Sequence, residues 1–417
     1  MSTTTSSPAQ GWLSRIGGKL ARQPTTPAAA SPALQQPAIE ERRSLSVAVS
    51  LAILAGALRT PHGASAAELD AALAANKVDA DLDRALVDDD GLPVMSARCA
   101  HAIDELVREE IGDWLAAHAA PAPRLSDEQW RALVLGTAVL RELAGHAAAS
   151  LLPHDGAAPI LQLAPLLPGD WQHEQRQAAL MWCRQVLVQS GWPMAQVAVV
   201  APESPPTFIA RFAQETMTSA TTSTTPVATI LLACASHIGQ ETVDRWSADG
   251  TLFTFHQPRG RIPGEGAAGL LLAPALDGAG LAHISLEIDA HDPASASQKR
   301  LSPGQLNTLA ERLLQGAAVA PADIAMIVAD TGADTRQVLE LMTFGSTSAP
   351  HLDHASDIVR VGPACGACGA VPFVAALAVA AHAALERAAP LLCVGNDNPA
   401  WRALALVRPG PPSRDET

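Results

Sequence analysis

Tyrosine is absent from the 417 residues, and 8 Trp and 6 Phe bring the aromatic share to only 3%. The core must therefore be built from Ala, Leu and Val, and no run of rings offers a stacking platform for single-stranded nucleic acid. Charge is also scarce, at 17%, and one-sided: 28 basic residues stand against 42 acidic ones, a net charge of -14. A polyanion partner needs clustered positive surface, and no Lys/Arg run supplies it, so nucleic acid is excluded as the expected ligand. Cysteine is sparse too. Cys99, Cys183, Cys234, Cys365, Cys368 and Cys393 sit mostly in apolar stretches, where a free thiol behaves as a small hydrophobe, and a reducing, cytoplasmic location is expected. The one stretch with the order of a signal peptide is Leu45 to Leu58, behind Arg42 and Arg43 and ahead of the small residues 63–67. It begins some forty residues into the chain and is too short for the roughly 20 residues of a bilayer span. An interior strand is the expectation there, with no membrane span.

What the chain does have is length and apolar content, 48% hydrophobic over 417 residues, enough for a sizeable core without disulfides or metals. Residues 1 to 40 are rich in Ser, Thr, Pro, Gln and Ala without apolar periodicity, which predicts a disordered N-terminal arm. The Thr/Ser-rich stretch 216–226 and the polar tail 409–417 are expected to be exposed. Between them, apolar runs of strand length lie at 45–54, 160–167, 197–201, 228–235, 268–273, 283–288, 324–329 and 391–395. Helical spacing marks 66–75, 99–117, 127–146, 172–190, 303–316, 335–342 and 372–387. Strands alternating with helices predict an α/β protein with buried sheets. No repeat of solenoid period is present, so any internal relation is between whole halves, here 41–275 and 276–408.

Few motifs carry chemistry on their own. Cys365 and Cys368 form a Cys-x-x-Cys in the run Val361-Gly-Pro-Ala-Cys-Gly-Ala-Cys-Gly-Ala-Val371. A redox site would need a thioredoxin-like context and a zinc site a second ligand pair; the alternative is a small-residue run that lets a helix start press on neighbouring backbone. His351, His354 and Asp357 fall within seven residues, a metal-ligand spacing if helical and a solvated connection if not. Neither motif calls for a cofactor. A serine or thiol nucleophile, with Ser204 or a cysteine acting beside His237 or His256, would make the chain a hydrolase or transferase. Phe253, Phe255, Phe344 and Trp401 lie in turn-rich sequence and are the expected anchors of a protein interface.

The most informative stretch runs from Ile230-Leu-Leu-Ala-Cys-Ala-Ser-His-Ile-Gly239 through Gly250-Thr-Leu-Phe-Thr254 to Arg261-Ile-Pro-Gly-Glu-Gly-Ala-Ala-Gly-Leu-Leu-Leu272. It resembles the centre of the thiolase-like fold, in its β-ketoacyl synthase branch, where a Gly-Glu-Gly-Ala-Gly motif leads into the last strand of the first half. Glu265 can be buried there only if its carboxylate is paired or hydrogen-bonded. Residues 362–370 resemble the family's glycine-histidine turn, and Ala329-Asp-Thr-Gly-Ala-Asp334 lies where the family carries a His-Gly-Thr-Gly-Thr loop. The resemblance extends over residues 44 to 408 and implies an α/β, thiolase-like layered fold of two pseudo-repeated halves. It also implies a catalytic cysteine and two histidines, and the chain departs from all three: Ser204 stands in the Pro202–Pro206 turn without a cysteine, Asp330 where the first histidine belongs, and Pro363 where the second does. The family's phenylalanine-glycine loop is replaced by Gly395-Asn-Asp-Asn-Pro399. These are degenerate former-site positions, and a scaffold without condensing chemistry is expected. Residues 163–171, 174–189 and 191–193 further resemble the type VI secretion lipase-adaptor family. That resemblance implies a non-catalytic adaptor whose partners are a protein effector, a (phospho)lipase, and the secretion spike protein; a structural assembly protein is the remaining alternative.

Overall fold

The computed structural model describes residues 44–46, 50–119, 123–153, 158–202, 204–218, 228–275, 282–290 and 304–410. The expected arm, most of the tail, and the junction at 276–281 lie outside the described residues. The first half comprises β1 (Ser44–Ser46), β2 (Leu51–Arg59), α1 (Ala66–Ala74), the hairpin β3 (Asp81–Val87) and β4 (Pro93–Ser96), α2 (Glu105–His118), α3 (Asp127–Leu151), β5 (Leu161–Leu166), α4 (His173–Gln189), β6 (Val197–Val199), α5 (Pro205–Thr218), β7 (Ala228–Ser236), α6 (Gln240–Ala248) and β8 (Glu265–Pro274). The second comprises β9 (Ala282–Ala290), α7 (Gln305–Ala317), β10 (Ile327–Ala329), α8 (Thr335–Ser348), β11 (Ile358–Arg360), the single turn α9 (Gly362–Cys365), α10 (Val371–Arg387), β12 (Leu391–Gly395) and β13 (Trp401–Pro409).

The main sheet runs β11-β10-β12-β13-β9-β2-β8-β7-β5-β6. Read from its two ends it repeats: β6-β5-β7-β8-β2 and β11-β10-β12-β13-β9 have the same order, each with a parallel trio followed by two antiparallel strands. The two halves meet where β2 pairs β9, Ala52 opposite His283.

Alternation along the strands explains the layers, because successive side chains point to opposite faces. In β7, Ile230, Leu232 and Cys234 face α3 and α4, whereas Leu231, Ala233 and Ala235 join the inner core with α5 and α10. In β13, Ala403, Ala405 and Val407 face that same inner core, and Leu404 and Leu406 face α7 and α8. Sheets covered on both faces require near-continuous apolar strands, which is how these runs read. The order is thus outer helices, sheet, buried helices, sheet, outer helices.

Helix α3 opens with a capping box, the Ser126 side chain accepting from the Gln129 N–H and Gln129 reaching back. Its 25 residues include an 18-residue window of mean hydropathy 1.2, long and apolar enough by length and composition to cross a membrane. That apolar face is spent on β7, β8 and β2, burying Leu133, Leu135, Val139, Leu140 and Leu143. Of the run 45–58, signal-like in order, residues 45–46 belong to β1 and 51–58 to β2, with Leu51, Ile53 and Leu58 in the core. Trp171, Trp182 and Trp192, which lie within the segments 163–171, 174–189 and 191–193, are all buried, and the Trp182 indole donates to Thr137 Oγ1 at 2.8 Å.

Candidate functional site

Strand β6 runs into Ala201 and Pro202, and Ser204 caps α5. Its carbonyl accepts the Phe208 N–H at 3.0 Å, and its hydroxyl accepts the Thr207 N–H at 3.3 Å while donating to Thr207 Oγ1 at 2.8 Å. These are N-cap bonds, and Pro205 is preset for a first helical position. None of the hydrogen bonds described for Ser204 involves a histidine. All six cysteines are buried. Burial pushes the Cys99 and Cys183 thiols up to about 12 and raises Cys234 and Cys393 as well. Cys368 is raised first by its hydrogen bond with Cys365 and then by burial. An attacking thiolate needs the opposite shift.

Three loops converge beyond the C-terminal ends of β10 and β12. The Asp330 N–H donates to the Val394 carbonyl at 3.0 Å, and Asp330 Oδ1 accepts the N–H groups of Asn396 at 2.8 Å and Asp397 at 3.1 Å. Asp397 is an exposed residue, yet its Oδ1 turns onto the Gly332 N–H at 3.0 Å. Asn396, fully buried, accepts from Thr331 Oγ1 at 2.5 Å and donates to the Gln337 carbonyl at 3.0 Å and Glu340 Oε2 at 3.1 Å. Arg402, 1% exposed, meets Glu340 Oε1 at 3.1 Å and the Asn398 carbonyl at 2.8 Å. Burial first and the Asp397 charge second raise the Asp330 carboxyl to about 7, against the pull of the two N–H donors and Arg402. Although the residue as a whole is exposed, desolvation of its inward-turned carboxyl raises Asp397 too, opposed by the Gly332 N–H and the nearby Arg261.

Pro363 occupies the start of α9 immediately after Gly362, where an added Cβ would meet the Asp330 and Thr331 carbonyls at 2.5 Å. The structure therefore brings Asp330 and Pro363 to one place, while no described hydrogen bond joins Ser204 to it. The small-residue run does press on backbone: a Cβ at Gly264 would lie 2.1 Å from the Cys365 carbonyl. Glu265 is fully buried and fully partnered. Arg131 meets it with Nε to Oε2 at 2.8 Å and Nη2 to Oε1 at 2.5 Å, and the Cys99 N–H and Ser236 hydroxyl complete the set at 2.8 and 2.9 Å.

The remaining sequence candidates separate. The Nδ1–H of His237 donates to the Ala367 carbonyl at 2.6 Å, and burial lowers its pKa; His256 is exposed. His351 bonds the Ile324 carbonyl at 2.7 Å and His354 the Ser346 hydroxyl at 3.3 Å, so the two imidazoles face different partners. Of the four expected anchors, two correct the sequence reading: Phe344 is on the buried face of α8, and Trp401 packs edge-on against Phe373 at 5.2 Å. Their apolar surface is spent on the core and offers no anchor. Phe253 is half-buried, and Phe255 is 94% exposed.

Sequence reasoning passed over Asp397, Asn396 and Arg261. The Asn-Asp-Asn turn was visible, but nothing local marks which carboxylate folds back on Asp330, 67 positions away. It also passed over an open cleft of about 320 Å³ beside the β3–β4 hairpin, lined by His62, Asp79, Asp81, Asp83, Ser96 and Arg98 among others. Arg98 is committed to Asp83 at 2.7 Å, and burial lowers the pKa of His62 against the pull of Asp81 and Asp79.

No protein-family model matches the sequence, and no curated protein is similar to it in sequence. Solved structures are similar in fold. The ketosynthase from module 6 of the bacillaene synthase of Bacillus subtilis superposes with a TM-score of 0.60 at 12% identity, covering 88% of this chain and 73% of that one. The oxazolomycin ketosynthase domain of Streptomyces albus gives 0.59 at 13%, covering 87% and 76%. The ishigamide ketosynthase/chain length factor gives 0.55 at 14%, covering 87% of this chain and 100% of that one. Strand order, layers and superposition agree that this chain has the thiolase-like fold of the ketosynthases.

Proposed function

We propose that the chain is a non-catalytic adaptor on a ketosynthase-like scaffold, one that binds a (phospho)lipase effector and loads it onto a type VI secretion spike. The observation that carries this reading is the work done by the three substituted positions. Ser204 caps a helix, Asp330 clasps the 395–398 turn, and Pro363 starts α9 beside it. Acyl transfer by this fold needs an activated nucleophile with a base in reach, and the buried thiols with raised pKa supply none. Fold alone does not fix function; the adaptor role rests on the resemblance in residues 163–193. The partners are then both proteins, no cofactor is required, and the site of action is the cytoplasm.

The test is co-purification of the full chain with the lipase and spike proteins of its own locus, paired with an export assay in a deletion strain. Retention of the lipase and loss of its export are expected. Export undiminished by the deletion, with no co-purification at low salt, overturns the reading. A serine- or thiol-directed covalent probe separates the rival hydrolase or acyltransferase: rapid stoichiometric labelling of one residue at neutral pH favours that enzyme.

A further inference from the structure

Two carboxylates hold the 330–334 loop and the 395–398 turn together by exchange. Asp330 Oδ1, just beyond β10, accepts the Asn396 and Asp397 N–H groups at 2.8 and 3.1 Å, and Asp397 Oδ1 accepts the Gly332 N–H in return at 3.0 Å. The second carboxylate lies so close over its loop that a Cβ on Gly332 would meet Asp397 Oδ1 at 2.8 Å. Among the described residues no cationic side chain bonds either acid. Arg402 is committed to Glu340 and to the Asn398 and Trp401 carbonyls, Arg360 to the Gly332 carbonyl at 3.0 Å, and Arg336 to Asp334 at 2.7 Å. Arg261 lies over the Trp246 ring at 4.1 Å, near enough to favour the charge of Asp397 without bonding it. The remaining titratable neighbours are Asp334, which faces Asp397, and two buried thiols, Cys393 beside Asp330 and Cys368 beside Asp397, both with raised pKa and so uncharged.

The two sides of this joint differ in freedom. Asp330 is 3% exposed, its N–H is tied to the Val394 carbonyl at 3.0 Å, and the Val361 N–H holds the adjacent Ala329 carbonyl at 2.8 Å. Asp397, Asn398 and Pro399 are exposed, and the Asp397 side chain has the Gly332 N–H as its one described hydrogen bond. Ionising Asp330 strengthens the N–H bonds that it accepts, because a charged acceptor is the stronger one. It also sets a second negative charge against Asp397 in a desolvated place. That repulsion is relieved by movement on the free side. We propose that Asp330 and Asp397 form a proton-operated latch: with one proton on the pair, Asp397 stays on Gly332 and the 330–334 loop is closed, and when that proton leaves, the Asp397 side chain turns out to water and the loop is released at Gly332. The turn itself remains in place, since Asp330 keeps its two N–H groups and the Gln337 side chain reaches the Asp397 carbonyl at 2.6 Å. Opening follows the titration of Asp330 near pH 7, as a property of the coupled pair. The latch lies wholly within this chain and stands apart from the adaptor reading.

Residue-resolved amide exchange on the full chain, taken at pH 5.5 and pH 8.5 and expressed as protection relative to the unfolded chain at each pH, reads such local opening directly. The Gly332 amide is expected to lose at least tenfold in protection at the higher pH, while Asn396, Asp397 and the strands β10 and β12 keep theirs. Asp397→Asn leaves an amide oxygen to accept from Gly332 and removes the charge, so its Gly332 protection should be the same at both pH values. Asp330→Asn should behave alike from the buried side; because Asp397 is exposed, the test does not depend on the buried variant folding. Equal Gly332 protection at both pH values in the parent overturns the latch. So does a loss that persists in Asp397→Asn, and so does a loss spread evenly over β10 and β12, which would assign the titration to the whole sheet.

Discussion

Asp330 and Glu265 are both buried carboxylates, yet the protein holds them in opposite ways. Glu265 faces a bidentate arginine and two further donors, so its charge is matched. Removing one partner of such a pair strands the other, at a cost of about 3–5 kcal/mol. Glu265→Ala is therefore expected to lower stability by about that amount in urea unfolding, and a loss below about 1 kcal/mol would show the pair to be dispensable. Asp330 instead faces a second carboxylate, and its pKa rises to about 7 from burial and Asp397. The folded protein then binds more protons than the unfolded chain between roughly pH 3.9 and that raised value. Stability falls as pH rises through this window, because the slope follows the unfolded-minus-folded proton count. Asp330→Asn keeps an acceptor oxygen for the Asn396 and Asp397 N–H groups and removes the titration. It is expected to melt above the parent at pH 8 and close to it at pH 4.5, with a flatter profile between; identical profiles for the two proteins would refute the acid-pair account.

Elements were legible in the sequence where burial and local pattern agree. β5, β7, β10 and β12 lie in the apolar runs that predict them, and α3, α4 and α10 in the periodic ones. β13 was not seen, because its apolar run Ala403 to Val407 is short and closed in by Arg402 on one side and Arg408 and Pro409 on the other; the charge of Arg402 is tolerated through Glu340, which is remote in sequence. The same remoteness hid the burial of Trp401, whereas Phe344 was misplaced because its Gly/Ser/Thr-rich surroundings read as a turn although they continue α8. The β3–β4 hairpin was missed because its Asp and Arg residues mask the strand alternation. The site was legible in part: the loop at Asp330 and the turn at Pro363 could be placed by motif, while the closure of 395–398 onto them depends on pairing across the sheet. The tight joint at Gly264 gives this scale its own prediction. A Cβ there meets the Cys365 carbonyl at 2.1 Å and the Gly366 Cα at 2.8 Å, backbone atoms with no side chain to yield. Gly264→Ala should cost on the order of 3 kcal/mol, the upper end of overpacking, measured by chemical denaturation; a neutral result would mean that the strand entry and the α9 turn separate freely.

The halves repeat each other in strand order, yet nothing in their packing lets them stand apart. The inner core is shared: Leu231, Ala233, Leu270 and Leu272 from the first half and Ile284, Leu286, Ala403 and Ala405 from the second belong to one cluster around α10. That helix is buried along most of its length, from Val371 to Ala384, and its 17 residues contact β8 and β2 as well as β12, β13 and β10. Separating the halves would expose both inner sheet faces and the helix between them, at about 25 cal/mol for each Å² of apolar surface returned to water, and would break the β2–β9 pairing at Leu51, Ala52 and Ile53. A chain broken at residue 278 should therefore yield fragments that are insoluble when made singly and that co-purify when made together. The reassembled complex should unfold in one transition, as expected of a single cooperative unit. Either fragment melting cooperatively on its own would show that each repeat closes its own core, and the shared layer at α10 would then be a contact between two domains instead of the centre of one.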